Sequence, residues 1–572
     1  MKNLLKYMKR YRKEAILGPL FKLSEALFEL FIPLVVADII DKGIANGDRS
    51  YIISRSILMV SLGIVGFICA LIAQYFAAKT AVGVSCDLRS ALYKKINSFT
   101  FTDLDSIGTS TLITRLTGDI NQVQTGVNIA LRLLLRSPFI VFGAMIMAFT
   151  VDVKSALIFV AAIPVLTVIV VAVMYVTVPL YKKVQTKADK LTLNTRESLK
   201  GVRVIRAFRQ ENKEISEFEE TNQSLTVLQR LVGKISALMN PLTYIVVNAA
   251  VIAIIYVGGQ RVYNGTLTQG QIVALYNYMS QILVELVKLA NMIMTVNKAL
   301  ASSSRIDAVL DRECFTDYLQ ASVNITSNSA VEFKNVSFKY NGAGETSLND
   351  LSFTAEKGQR IGIIGATGSG KSTLVNLIPA FYGATDGTVL VDGKDVKAYD
   401  SEALRRKIGI VPQKSVLFKG TVRDNLLLGG KQIADNELWS ALKSAQAEET
   451  VTAKGGLDAE IEQNGRNLSG GQKQRLCIAR ALVGNPEILI LDDSASALDF
   501  KTEAELRKAL ASLPQKPTVF IVSQRVSSIM NCDKIICLED GEAVGIGTHE
   551  QLLKVSEVYA GICHSQLEKE EA

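Results

Sequence analysis

Long apolar runs fill the first half of the chain, and each is long enough to cross a bilayer, which takes about 20 helical residues. Six such runs are present, at 15–40, 54–78, 131–150, 155–178, 240–264 and 269–297. The polar stretches 79–130 and 180–238 lie between these runs and keep helical periodicity. The sequence therefore predicts an all-α membrane domain of six spans over residues 1–310, with helices that continue well beyond the bilayer.

The pattern changes after residue 310. Residues 311–330 break the helical periodicity and carry scattered Ser, Thr and Asn, so we assign them to a linker. From Val331 apolar residues alternate with polar ones, as in a strand. Short aliphatic runs then alternate with helical patterns, notably at 360–364, 488–491 and 520–522. We therefore predict that residues 331–572 form an α/β domain whose ligand site lies beyond the carboxyl ends of its strands.

Composition agrees with one membrane half and one water-exposed half. Hydrophobic residues make up 48% of the 572 residues, yet 21% are charged. The net charge of +8 is compatible with nucleic acid binding, but Lys and Arg lie beside the apolar runs. We therefore attribute the positive charge to basic cytoplasmic segments of a membrane protein. The positive-inside rule then places both termini and the two long polar stretches in the cytoplasm. Seven cysteines without regular spacing argue against a disulfide framework.

Polar residues interrupt several of the apolar runs. They are Glu25 and Glu29 in the first, Gln74 in the second, Asn248 in the fifth, and Glu285, Lys288 and Asn291 in the sixth. A charge in hydrocarbon costs at least ~2.5 kcal/mol, so such groups face a cavity or one another. Two interpretations stay open: a polar translocation pathway, or ion pairs such as Glu285 with Lys288.

The strongest chemical pattern is a phosphate loop that follows the strand at 360–364. The loop fits G-x-x-x-x-G-K-[S/T] and is followed by a helical pattern, which is the context this motif needs. Its glycines allow the backbone to wrap around phosphates, its Lys reaches the β- and γ-phosphates, and its Ser hydroxyl binds Mg²⁺. The nucleotide-binding residues predicted here are Gly365, Thr367, Gly368, Ser369, Gly370, Lys371, Ser372 and Thr373.

A second glycine-rich helix start comes about one hundred residues later. It reads Leu468-Ser469-Gly470-Gly471-Gln472 and precedes a helical pattern, so it predicts a second anion site. Asp492 follows four aliphatic residues and is placed to hold Mg²⁺ beside the phosphate loop. Tyr340 lies in the first strand pattern, where its ring either stacks on a base or is an ordinary strand aromatic, and the residue alone favours the second.

Together these motifs make the chain resemble the ATP-binding cassette (ABC) exporters, whose membrane domain is fused ahead of the nucleotide domain. The resemblance covers nearly the whole chain and implies ATP and Mg²⁺ as cofactors. It implies that Tyr340 stacks on adenine, that Gln413 senses the metal, and that Asp492 binds it. It also assigns Ser496-Ala497-Leu498-Asp499 to a loop that crosses the dimer interface, and 101–109 and 201–211 to two coupling helices.

In such exporters two nucleotide domains close head to tail around two ATP molecules. Each site combines the phosphate loop of one chain with the 468–472 segment of the other. One chain with six spans and one nucleotide domain is then a half-transporter that pairs with a second one in the lipid bilayer. The expected cargo is an amphipathic small molecule, and no nucleic acid is expected as a partner.

The sequence departs from this pattern at catalytic positions. Asp493 stands where the family has Glu, and Gln524 where it has a switch histidine; the chain's two histidines, His549 and His564, lie elsewhere. Asp is one methylene shorter than Glu, and Gln carries no cationic charge. We therefore predict a weak catalytic site, formed by Asp493, Gln524 and Gln413, in one half of a heterodimer. A homodimeric exporter and a nucleotide-gated regulatory subunit are the alternatives. A bacterial plasma membrane is the expected location.

Overall fold

A computed structural model describes residues 2–312, 329–429, 433–494 and 498–567. The described chain divides into two compact units. The first contains the residues up to Asn97 and those from Ser110 to Arg312. The second contains Ser98–Thr109 together with the described chain from residue 329 onward. Most of the predicted linker, 313–328, lies outside the described residues.

The first unit is helical. Its long helices follow the predicted apolar runs, and three of them, Arg49–Asn97, Val153–Lys200 and Gln269–Leu310, continue far past those runs. In chain order, and including α4 of the second unit, the helices are α1 (Lys2–Met8), α2 (Arg12–Asp38), α3 (Arg49–Asn97), α4 (Phe101–Ile107), α5 (Thr109–Thr114), α6 (Ile120–Leu133), α7 (Arg136–Val151), α8 (Val153–Lys200), α9 (Val202–Ala207), α10 (Glu211–Ala237), α11 (Met239–Tyr263) and α12 (Gln269–Leu310).

Within the described chain, five helical stretches are long and apolar enough to cross a membrane. They are Arg49–Asn97, Thr109–Val151, Val153–Lys200, Glu211–Tyr263 and Gln269–Leu310. Helix α2 occupies the place of the first predicted span and is long enough, but charged residues interrupt its apolar sequence. The count of six spans therefore stays a prediction, whereas the all-α membrane architecture is confirmed.

Glu29 of α2 has a partner on another helix of this unit. Arg136 of α7, 7% exposed, contacts Glu285 of α12 at 2.6 Å and Glu29 of α2 at 2.7 Å. Glu285 also accepts hydrogen bonds from Lys288 at 2.8 Å and from Ser137 at 2.7 Å. The structure thus shows the ion-pair alternative for Glu285 and Lys288, and it adds Arg136, which the sequence analysis did not single out.

The second unit is an α/β domain, as predicted. Its strands are β1 (Ser329–Phe338), β2 (Leu348–Glu356), β3 (Arg360–Gly365), β4 (Asp386–Val391), β5 (Lys394–Asp395), β6 (Ile408–Val411), β7 (Gly420–Thr421), β8 (Glu460–Ile461), β9 (Ile488–Asp492), β10 (Thr518–Val522), β11 (Lys534–Glu539) and β12 (Glu542–Gly547). Its further helices are α13 (Lys371–Leu377), α14 (Ser401–Lys407), α15 (Val422–Leu426), α16 (Asp435–Ser444), α17 (Glu448–Ala453), α18 (Gly470–Leu482), α19 (Phe500–Ala511), α20 (Val526–Ile529), α21 (His549–Val555) and α22 (Glu557–Leu567).

The main sheet has the strand order β12-β11-β3-β10-β9-β6. Strands β11, β3, β10, β9 and β6 are mutually parallel, and β12 is an antiparallel edge strand. Parallel strands end at one edge of a sheet, so the segments that follow β3, β6, β9 and β10 converge there. A second sheet is antiparallel and has the order β2-β1-β4-β5, and β7 and β8 form a third sheet of two antiparallel strands.

Candidate functional site

The phosphate loop joins β3 to α13, which is the strand–loop–helix context that the motif predicts. Gly368 and Gly370 have φ values of +91° and +93°, a left-handed backbone conformation that side chains oppose. A Cβ atom on Gly365 would lie 2.1 Å from the carbonyl oxygen of Leu538. The glycines of the motif are therefore required by the backbone path and by the close neighbouring strand.

Lys371 is buried at the base of this loop. Its Nζ donates to the carbonyl oxygens of Gly365 at 2.9 Å and Ala366 at 2.6 Å. Burial lowers the pKa of the Lys371 ammonium, and the nearby carboxylates Asp493 and Asp492 partly oppose that shift. The ammonium is held inside the loop, where it is placed to meet an anion.

Two hydroxyl residues of the motif differ in their contacts. The Thr373 Oγ1 and Tyr340 Oη atoms are hydrogen-bonded at 3.1 Å. Ser369 Oγ is buried and, within the described chain, has no hydrogen-bond partner. An unpartnered buried hydroxyl costs free energy, so a polar ligand that bonds to it is favoured. This loop therefore fits a phosphate group.

Asp492 and Asp493 lie together at the end of β9. The Ser372 hydroxyl donates to Asp492 Oδ1 at 3.0 Å. Burial raises the pKa of the Asp492 carboxyl, and the charge of Asp493 raises it further. Burial also raises the pKa of Asp493, while a hydrogen bond with Gln413 acts in the opposite direction. Two neighbouring carboxyls that resist ionisation favour a cation between them and a phosphate.

These oxygen donors suit a hard divalent cation. Mg²⁺ keeps several waters and takes few protein ligands beside substrate phosphates. Within the described chain no cluster of three or more His, Cys, Asp or Glu residues forms a complete metal cage. Ser372, Asp492 and Gln413 all line the cavity described next, and their oxygen atoms would fit such a metal ion.

A cavity of about 310 Å³ gathers most of the predicted residues. It also includes Ser347, Val522 and Ser523, which the sequence analysis did not assign to the site. Ser347 precedes β2, and its carbonyl oxygen approaches Gly370 only in the folded chain, so no local motif marks it. The predicted residues that line the cavity are Tyr340, Thr367, Gly368, Gly370, Lys371, Ser372, Thr373, Gln413, Asp492, Asp493 and Gln524.

The 468–472 segment forms a helix start, as predicted, but lies outside this cavity. Ser469 caps α18: its hydroxyl accepts from the Gln472 backbone N–H, and the Gln472 side chain accepts from the Ser469 N–H. None of Ser469, Gly470, Gly471 and Gln472 is among the cavity's lining residues. The chain's two anion-binding motifs therefore do not meet in one site of the described chain.

Asp499 caps the start of α19, where its side chain accepts from the Thr502 backbone N–H at 3.4 Å. Hydrogen bonds from the Thr502 side chain and, to a smaller extent, from its backbone lower the pKa of the Asp499 carboxyl. Asp499 is also absent from the cavity lining. Ser496 and Ala497, the first part of the predicted interface loop, lie outside the described residues.

Fold and site together define a phosphate-loop nucleotide-binding protein with a fused helical membrane domain. Models of the "ABC transporter transmembrane region" and of the "ABC transporter" match residues 15–286 and 348–496. An uncharacterized ABC transporter ATP-binding protein of Bacillus subtilis, YfiB, is 34% identical over 571 residues, which are 100% of this chain and 99% of that one. Another B. subtilis protein, the putative multidrug export ATP-binding/permease protein YgaD, is 31% identical and covers 98% of each chain.

A solved structure of a bacterial Atm1-family ABC exporter with ATP bound has a similar fold. The TM-score is 0.81 at 22% sequence identity, and the match covers 98% of each chain. The chain belongs to the ABC transporter family and has the fused domains of its exporters. It is an ATPase that couples ATP hydrolysis to transport across a membrane.

Proposed function

We propose that this protein is one half of a heterodimeric exporter that moves amphipathic small molecules across the bacterial plasma membrane. Its nucleotide domain and both termini lie in the cytoplasm, and Mg²⁺ accompanies ATP. Its own phosphate-loop site is degenerate, and its 468–472 segment completes the active site of the partner chain. The basic polar stretches support this orientation. The amphipathic cargo is supported by similarity to YgaD, which is named as a putative multidrug exporter.

The observation that carries the heterodimer proposal is the pair of side chains at the catalytic edge of the cavity. Asp493 and Gln524 both line it, and the lining residues of the described chain include no histidine. His549 instead contacts the Tyr559 hydroxyl at 2.7 Å. Gln524 donates and accepts hydrogen bonds but cannot become a cation. Asp493 is a short base with φ +46°, and its carboxylate is engaged by Gln413.

We assign each residue a role within the proposed site. Lys371 and the loop backbone would bind the β- and γ-phosphates, while Ser372, Asp492 and Gln413 would hold Mg²⁺, whose charge neutralises the phosphates. Tyr340 would stack on the base. Asp493 would orient and deprotonate the attacking water only poorly, because a displacement of ~1 Å costs ~10²-fold in rate. Gln524 would hydrogen-bond the γ-phosphate.

The position of the 468–472 segment supports a second chain. This segment begins a capped helix but does not line this chain's own cavity. Backbone N–H groups at such a start favour an anion. A partner that supplies Glu and His at the two weak positions would form one competent site with this segment.

ATP hydrolysis by the purified full-length chain in lipid nanodiscs tests the proposal. We expect the wild type to be nearly silent and the Asp493→Glu/Gln524→His variant to turn over ~10²-fold faster. The same pair of changes combined with Lys371→Ala is the matched control and should be inactive. Brisk hydrolysis by the wild type would contradict the degenerate site and favour a homodimeric exporter.

A further inference from the structure

A segment of the chain that lies between two helices of the first unit belongs structurally to the nucleotide-binding unit. This segment is Ser98–Thr109 and contains α4. The ring of its Phe101 lies 4.4 Å from the ring of Phe381, and the Arg405 guanidinium covers Phe381 at 5.4 Å. Beside this apolar contact, the Tyr382 hydroxyl donates to Asp105 Oδ2 at 2.7 Å.

Tyr382 also contacts a residue that lines the nucleotide cavity. Its ring meets the ring of Tyr340 edge-on, with centroids 5.2 Å apart and an interplanar angle of 82°. Tyr340 lines the cavity, and its hydroxyl is bonded to Thr373 of the phosphate loop at 3.1 Å. Tyr382 therefore contacts both Asp105 in the segment and the ring predicted to receive the base.

The Tyr382 hydroxyl is suited to act as a permanent donor. Burial raises the pKa of Tyr382 well above its ordinary value, and the Asp105 carboxylate raises it further. The phenol is thus protonated throughout the physiological range. Because the acceptor is a carboxylate, this hydrogen bond is stronger than one between neutral groups.

We propose that Tyr382 is a positioning residue that couples occupancy of Tyr340 by a nucleobase to the position of Ser98–Thr109. A base stacked on Tyr340 restricts the motion of the Tyr340 ring, which already contacts Thr373 and Tyr382. Tyr382 passes that restriction to α4 through Asp105. Linkage makes the effect reciprocal, so the segment's position changes ATP affinity by the same factor. The inference rests on the proposed ATP site, with Tyr340 as its base contact.

Comparing ATP with inorganic tripolyphosphate separates sensing of the base from sensing of the phosphates. Both carry a triphosphate, but only ATP stacks on Tyr340. In the full-length chain in nanodiscs with Mg²⁺, Tyr382→Phe should weaken ATP binding about 5-fold, the lower end of typical coupling, and leave tripolyphosphate binding unchanged. Tyr399→Phe is the matched control: it removes a hydroxyl that donates to the Val391 carbonyl at 2.9 Å in the same unit.

Variants of the acceptor sharpen the test. Asp105→Ala should reproduce the Tyr382→Phe effect, and the double variant should be no weaker than either single one. Asp105→Asn retains an acceptor and should restore most of the ATP affinity. Additive effects, or equal losses of ATP and tripolyphosphate affinity in Tyr382→Phe, would overturn the inference because they indicate general damage to the unit.

Hydrogen exchange of the peptide spanning Ser98–Thr109 gives an independent readout. ATP should slow exchange there, tripolyphosphate should not, and Tyr382→Phe should abolish the ATP effect. Equal ATP protection in wild type and Tyr382→Phe would overturn the role of Tyr382 while leaving the ATP site intact. Failure of the wild type to bind ATP at all would instead overturn the proposed site, and this inference with it.

Discussion

Two buried carboxylates, one in each unit, have opposite surroundings. Glu285 in the helical unit is 3% exposed and receives Arg136, Lys288 and Ser137 at 2.6 to 2.8 Å. Asp492 in the nucleotide-binding unit is 6% exposed, and the Ser372 hydroxyl donates to its side chain at 3.0 Å. Both are acids in a low-dielectric interior, but Glu285 is hydrogen-bonded to its counter-charges, whereas the ammonium of Lys371, near Asp492, donates to backbone carbonyls.

The difference distinguishes a buried charge that helps helices to pack from a buried charge that can bind a metal ion. A buried ion is tolerated where cations and donors already satisfy it, and such a cluster fixes how three helices pack. A buried acid that lacks this compensation resists ionisation, which is the condition for binding a metal ion. Glu285 therefore serves packing, and Asp492 is available to a cation.

The largest effect on stability is expected from breaking the compensated cluster. Arg136→Leu leaves Glu285 and Glu29 without their guanidinium partner and should lower the free energy of unfolding by ~3–5 kcal/mol. The double variant Arg136→Leu/Glu285→Leu should recover much of this loss, because the remaining Lys288 and Glu29 are partly exposed. Thermal unfolding in detergent, monitored as the loss of the monodisperse peak, measures the stability of both variants. Equal stability of Arg136→Leu and wild type would refute the packing role.

A substitution of Asp492 is expected to have a smaller effect on stability, and one of opposite sign. Asp492→Asn removes a charge that burial disfavours, so the melting temperature of the nucleotide-free chain should rise by ~2–4 °C at neutral pH. Mg²⁺ with ATP should then stabilise the wild type more than the variant. A lower melting temperature for Asp492→Asn would show that its charge is already compensated.

The same change carries a pH dependence with a defined sign. The unfolded carboxyl loses its proton near pH ~4, whereas the folded Asp492 keeps it to higher pH. The folded state binds more protons in between, so the wild type should lose stability relative to Asp492→Asn as pH rises through that window. Melting curves from pH ~4 to pH ~7 give this difference directly.

The smallest effects come from a matched pair of serines. Ser137→Ala removes a donor to Glu285 and should cost ~1–2 kcal/mol of stability without changing ATP affinity. Ser372→Ala removes the donor to Asp492 and should leave stability nearly unchanged while weakening Mg²⁺-dependent ATP binding. Melting temperatures and ATP titrations with and without Mg²⁺ measure both. Identical behaviour of the two variants would remove the distinction between the clusters.

Local patterns predicted most of the architecture, because they depend on few neighbours. The apolar runs predicted the long helices, and G-x-x-x-x-G-K-S predicted a loop between β3 and α13. The 468–472 segment predicted a helix start, which α18 confirms, and the structure adds the reciprocal hydrogen bonds between Ser469 and Gln472. Ser347 had no such signal, since its place beside Gly370 depends on strand pairing.

Sequence by itself determined the membrane and nucleotide-binding halves, the family, and the unusual Asp493 and Gln524. These follow from periodicity, short motifs and residue chemistry at fixed spacing. Only the tertiary structure decided that Arg136 neutralises Glu285 and Glu29, and that Tyr382 contacts both Asp105 and Tyr340. Asp105 and Tyr382 are 277 positions apart in the chain. Contacts across such separations depend on how helices and strands pack, and no local pattern encodes them.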